Sequence, residues 1–351
     1  MMETPKIRRR LQKYSKCAGV AAGCAVFCAI AGSLPANAKP TFTIFDPPGS
    51  ISTYPYAINA RGAIAGEYAD DHNTEHGFLR NPDGTFVSFD PPQSIETGVT
   101  GINGKGVIAG SYEYVVGGVL YSRGFVRAAD GTVTTFGISG AKYTNALGIN
   151  DSGTIVGLAT GNGFYEGLVR SADGTITTFE VPNALHDSSG TYPESINDAG
   201  TITGNYRPTI ETYAGFIRNA DGTIATFQIP GASQTIPLAI DAGGVITGYY
   251  MNRSGDEGFV RAVDGTITTF DAPKCTADTA GNSINDKGMI VGSCNELTVN
   301  AHGFLRAADG TVRTFDVPGT HDGTYANAIN DSGVVVGDHG DGTWHGYLRT
   351  P

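Results

Sequence analysis

One four-residue element, glycine followed by an aromatic residue or leucine, an aliphatic residue and arginine, recurs seven times along the chain. It stands at 77–80, 124–127, 167–170, 215–218, 258–261, 303–306 and 346–349. Each of the first six copies is followed by two residues, then Asp-Gly-Thr and an alternating segment. These segments end in Phe89, Phe136, Phe179, Phe227, Phe270 and Phe315, 43 to 48 residues apart. A further element, Ile-Asn(or Asp)-x-x-Gly-x-(Ile/Val)-x-Gly, precedes every copy, headed by Ile58, Ile102, Ile149, Ile196, Ile240, Ile284 and Ile329. A fixed period of this size restricts the chain to stacked or radially arranged repeats. Each unit reads as four short strands: a ends at Ile-Asn, b is the Gly-x-Ile-x-Gly segment, c is the tetrad, and d ends in Phe. The a–b and c–d turns are built from Asn, Asp and Gly, which tolerate the positive φ of tight hairpins. Four antiparallel strands in 40–50 residues is the size of a propeller blade.

The two ends of the chain suggest how the sheet edges are covered. The seventh unit stops after Arg349 without a d strand, and Thr41–Asp46 is a d strand with no unit before it. Pairing them predicts an all-β, seven-bladed propeller closed by its N-terminal strand, which removes an exposed sheet edge. The residue before each Ile of strand a is small (Ala57, Gly101, Gly148, Ser195, Ala239, Ser283, Ala328), as the crowded inner strand of a blade requires. Pro55, Pro193 and Pro237 suit an inner edge strand, where the missing N–H meets no partner.

Composition agrees and sets limits. Fifty glycines in 351 residues without a G-X-Y period exclude collagen and disfavour long helices. A 40% hydrophobic fraction is too high for disorder. Residues 1–16 carry six basic side chains against Glu3, an apolar run follows from Cys17 to Leu34, and Pro35-Ala36-Asn37-Ala38 supplies a small-x-small end. That pattern predicts an export signal over 1–38 and a single domain over 39–351, with no membrane span once the signal is removed. Without it the chain has 17 Lys and Arg against 33 Asp and Glu, a formal −16. No basic face is available for a nucleic-acid partner. The expected location is periplasmic or extracellular. Cys275 and Cys294 then remain for an oxidising compartment, and a disulfide between them would stabilise by roughly 3 kcal/mol in the loop-entropy model.

The consensus INDxGxIVGxY…HGFLRxxDGTxTTFDxPG resembles the HAF-type extracellular repeat family of bacterial exported proteins, over residues 41 to 351. The resemblance implies export and a β-repeat architecture, and no assigned reaction. The histidine of HGFLR is present at His76, His302 and His345, and Arg123, Glu166, Ala214 and Glu257 replace it in the other units.

Chemistry-bearing residues gather where the repeat is irregular. The b–c and d–a connections are long and variable, and scaffolds keep function on such loops. All seven histidines fall there, and His72, His76, His302, His321, His339 and His345 belong to units six, seven and one, interleaved with Asp338 and Asp341. Imidazoles and carboxylates serve as metal ligands and as proton carriers, so these eight residues form a candidate ligand or divalent-metal site. The competing reading makes the His before GFLR a repeat residue in a structural slot. The sevenfold arginines favour a structural role, against the c–d turn Asp or an adjacent blade. Asp-Gly-Thr offers one carboxylate where Ca²⁺ wants six or more oxygens. Trp344 and the loop-side tyrosines suit a protein or carbohydrate ligand. No nucleophile elbow, phosphate loop or dinucleotide fingerprint appears, and nothing in the sequence requires a cofactor or sets an oligomeric state. The expected function is a binding module. The alternative is a secreted hydrolase or lyase acting on a polysaccharide or similar polymer at the channel mouth.

Overall fold

A computed structural model describes residues 39–161, 163–186, 190–253, 255–296 and 301–351; the expected export signal lies outside them. Among the described residues there are 28 strands and no helix. The strands run in antiparallel sets of four. Unit one comprises Ser52–Ile58, Ile64–Ala69, Glu75–Arg80 and Phe86–Phe89. Unit three repeats it as Thr144–Ile149, Ile155–Gly161, Phe164–Arg170 and Ile176–Phe179. The seventh set holds Gly323–Ile329, Val335–Gly340 and Trp344–Thr350. Its fourth strand is Thr41–Phe45, which pairs antiparallel with Trp344–Thr350 from Thr41↔Thr350 to Phe45↔Gly346.

Small residues are required by contacts between strands. In unit three a Cβ on Gly167 of the tetrad would lie 2.5 Å from the Phe179 ring, and one on Gly157 of strand b would lie 1.9 Å from the Asn145 carbonyl oxygen. Every a strand also slips register by one residue near its end, as between Pro193 and Ser195, and such a bulge re-aims the extra side chain.

The core lies between consecutive units. Phe45, Ile58, Ile64, Tyr68 and Phe78 pack with Ala328 and Val336, joining unit one to unit seven. Val156 of unit three likewise joins the cluster of Ile196, Ile202, Tyr206 and Phe216 in unit four. The tetrad arginines serve the same contact. Each guanidinium lies 4.9–5.2 Å above the strand-d phenylalanine of the preceding unit, from Arg127 over Phe89 to Arg349 over Phe315, and Arg80 covers Phe45. Stacking on an aromatic face favours arginine over lysine here. The arginines are structural, and the partner is the neighbouring unit's ring.

The a–b turns form a ladder. Asn59 Nδ2 donates to Asn103 O at 3.0 Å, Asn103 to Asn150 O at 3.1 Å, Asn150 to Asn197 O at 3.0 Å and Asn197 to Asp241 O at 3.1 Å. It resumes from Asn285 to Asn330 O at 2.9 Å and from Asn330 to Asn59 O at 3.2 Å. The Oδ1 of each asparagine meanwhile accepts N–H groups of its own turn, as from Thr154 to Asn150 at 3.0 Å. Asp241 keeps the turn role, accepting from Val245 N at 2.8 Å, but its side chain has no N–H to donate onward.

Candidate functional site

The other end of each unit, where b meets c and d leads into the next a, departs from repetition. His76, His302 and His345 occupy the same place on strand c, directly before the tetrad glycine. Their Nδ1 atoms lie 2.7 Å from Asp90, Asp316 and Asp46, the residues that follow the strand-d phenylalanines. Their Nε2 atoms face a carboxylate of the b–c connection: Asp70 at 3.4 Å, Glu296 at 3.3 Å and Asp341 at 3.2 Å. Burial opposes charge on His76 and His345, but the paired carboxylates outweigh it and raise both pKa values. Where the histidine is replaced, its surroundings change too. Arg123 of unit two bonds the carbonyls of Ser122 and Ala141 at 3.0 and 3.1 Å, beside a glycine, Gly137, in the place of the aspartate. In unit five Glu257 accepts from Tyr250 Oη and from Asn252 Nδ2.

The remaining expected residues separate into distinct places. His72 is exposed at the tip of the first b–c connection, its Nδ1 2.7 Å from Asp71. With Asp70 these two form a trio whose ligand atoms lie within 4.8 Å of one another. Asp70 also accepts the backbone N–H groups of His72 and Thr74, each at 2.9 Å, so the trio belongs to an Asx-type turn. His321 is exposed, and its backbone N donates to Gly340 O at 2.8 Å. His302 stays within its own unit. Asp338 is buried on strand b and accepts from Asn327 Nδ2 at 2.7 Å. Its neighbour His339 points to the opposite face of the strand and is 4% exposed. Neither ring nitrogen of His339 has a hydrogen-bond partner among the described residues. Burial, reinforced by His345, lowers its pKa.

Of the eight expected residues the structure therefore draws His339, His345 and Asp341 into one corner. The two imidazole centroids are 5.6 Å apart. The corner also takes in Asp46, absent from the sequence-derived set, although it stands in Phe-Asp-Pro like Asp90. On the opposite face of the same strands, Trp344 lies between Tyr325 at 5.6 Å and Tyr54 of unit one at 6.4 Å.

Two further features escaped the sequence reading. A threonine five residues before each strand-a isoleucine (Thr53, Thr97, Thr144, Thr191, Thr235, Thr279, Thr324) is buried in all seven units. It accepts a backbone N–H from the incoming d–a connection in five of them, as from Ile138 to Thr144 at 3.2 Å, and donates to Asp46 and Asp90 at 2.6 Å in the other two. Alignment of the seven copies would have found it. The other feature is a carboxyl pair between units five and six. Asp256 and Asp278 stand opposite each other in a parallel bridge. Burial and the nearby Asp278 charge push Asp256 up to about 7, and its buried Oδ1 has no partner.

Cys275 and Cys294 form the expected disulfide, with Cα atoms 5.7 Å apart. It ties the connection leaving unit five to strand b of unit six.

No protein-family model matches the chain, and no curated protein matches it in sequence. Solved structures do match in shape. Virginiamycin B lyase from Staphylococcus aureus superposes with a TM-score of 0.59 at 14% identity, over 89% of this chain and all of that one. The β-propeller domain of the Trilobed protease from Pyrococcus furiosus gives 0.52 at 13%, covering 86% of this chain and 94% of that domain. Pyrococcus horikoshii acylaminoacyl peptidase gives 0.54 at 13%, over 85% of this chain and 52% of its own. The fold is of the propeller type.

Proposed function

We propose that the chain is an exported seven-bladed propeller of the HAF-repeat kind, closed as a ring by Thr41–Phe45, and that it acts as a binding module for a sugar-containing polymer. The reading is carried by Trp344, the one tryptophan of the chain, set between Tyr54 and Tyr325 where units seven and one meet. Aromatic faces stack on the apolar faces of sugar rings. Export is supported by the basic, apolar and small-x-small segments of 1–38 and by the disulfide. Ring closure is supported by the strand pairing at Thr41–Phe45 and by the Asn330 bond to Asn59. Co-sedimentation with insoluble polysaccharides, repeated with Trp344→Ala, tests the binding role. Binding should fall at least tenfold in the variant at unchanged melting temperature. Equal binding by the two proteins, or none by the wild type, would remove the reading.

The second reading is a hydrolase or lyase acting on such a polymer, favoured by the Asp256–Asp278 pair. A carboxyl group held near 7 is protonated often enough to act as a general acid at neutral pH. Release of reducing or unsaturated ends by the wild type and not by Asp256→Asn would make it the better account.

A further inference from the structure

Seven units give seven occupants for the strand-b place that faces the strand-c histidine slot. They are Tyr68, Tyr112, Ala159, Tyr206, Tyr250, Cys294 and His339. The tyrosines, the alanine and the disulfide cysteine all suit a buried wedge between units. His339 does not. It is 4% exposed with both ring nitrogens unpartnered, a state that is costly for a buried polar group. Beside it, His345 already has the hydrogen-bonding of a metal ligand. A carboxylate, Asp46, lies 2.7 Å from Nδ1 and fixes the ring, so Nε2 is the ligand atom, with Thr343 Oγ1 at 2.8 Å and Asp341 Oδ1 at 3.2 Å beside it. Units one and six contain the same carboxylate–histidine–carboxylate arrangement, but Tyr68 and Cys294 stand where unit seven has a second imidazole.

We propose that His339, His345 and Asp341 bind one divalent transition-metal ion of the Zn(II) class, with Asp46 as the positioning carboxylate behind His345. Two imidazoles and one carboxylate form a ligand set of this class, leaving a position for water or for a donor of a larger ligand. Coordination turns the His339 ring toward Asp341 and gives its nitrogen the partner that the protein does not supply. The site lies on the other face of these strands from Trp344, the face that packs toward unit six, and goes beyond the proposed polymer-binding role.

Calorimetric titration with Zn(II) alone tests it, using the chain without its export signal. The wild type should bind one equivalent. His339→Tyr and His345→Ala should each weaken that binding at least 100-fold. Both substitutions install residues that occupy these places in other units (Tyr68, Ala214), so the fold has a precedent for them. His76→Ala, His302→Ala and His72→Ala should bind within twofold of the wild type. No binding by the wild type, retention by His339→Tyr, or loss that follows His72→Ala would overturn the site; the last would assign the ion to the exposed trio in unit one. Polysaccharide binding measured in EDTA reports separately on the Trp344 reading, so either proposal can fail alone.

Discussion

At the turn end of the units polar side chains repeat, and at the loop end they change. The turn-end asparagines bond their own turn through Oδ1 and the next unit through Nδ2, a double duty that an ionised aspartate cannot perform. Loop-end histidines, glutamates and arginines hold local partners that differ from unit to unit. The contrast teaches where substitutions are tolerated. The turn end ties units by one repeated bond, and the loop end by contacts that differ from junction to junction, such as the disulfide between the unit-five connection and unit six.

The largest effect is expected in the close strand a–strand b contacts of the constant frame. Gly157→Ala would place a methyl group 1.9 Å from a backbone oxygen that cannot retreat without breaking the a–b pairing. A loss of about 4 kcal/mol or more should follow, read as failure to recover folded protein. Removing residues 39–46 comes next. It strips Trp344–Thr350 of its partner and leaves Arg80 without the Phe45 ring. A fall of the melting temperature by about 10 °C and concentration-dependent aggregation should follow; an unchanged melt would break the claim that this strand belongs to the frame.

The carboxyl pair should behave as a loop-end feature with a thermodynamic signature. Folding raises the Asp256 pKa to about 7 from an ordinary carboxyl value, so the folded state holds a proton that the unfolded chain has already released. Its contribution is therefore lost as pH rises through about 7. Asp256→Asn should stabilise by about 2 kcal/mol at pH 8, after allowance for solvent screening, and by little at pH 4. Denaturant melts at the two pH values measure this, and a gain that ignores pH would remove the pair as an electrostatic feature.

Two smaller tests exchange the behaviour of the two ends. Asp241→Asn should supply the absent donor of the turn ladder and stabilise by about 1 kcal/mol, measured by thermal unfolding. Tyr68→His should lower stability by about 1–2 kcal/mol without metal, since it trades a buried core ring for an unpartnered imidazole, while completing, with His76 and Asp70, a second copy of the unit-seven ligand set. Zn(II) stoichiometry should rise from one to two.

Much of the strand order was readable because each unit states it again. The tetrad, the Asp-Gly-Thr turn and the strand-d phenylalanine fix their own spacing, and seven copies average away accidents. The turn ladder was hidden for a physical reason: strand alternation says which face a side chain takes, not which neighbouring unit its amide reaches. The histidine slot was half visible. His76 and His302 each precede their aspartate by fourteen residues. His345 has none downstream, because its aspartate, Asp46, is 299 residues earlier. His339 stood out in sequence as a histidine without counterpart in units two to six, but its burial without a partner is visible only in the fold.

A strand that pairs with the far end of its own chain imposes an order in time. Thr41–Phe45 leaves the ribosome, and on the expected export route crosses the membrane, before any other strand described here, yet its partner is the last to arrive. Until then Thr41–Phe45 has no strand partner, and closing a loop of this length is entropically slow. A chain without Trp344–Thr350 leaves the backbone of Thr41–Phe45 without its strand partner and His345 absent from Asp46. Joining the first described strand to the last thus makes the two ends of the described chain fold together or not at all.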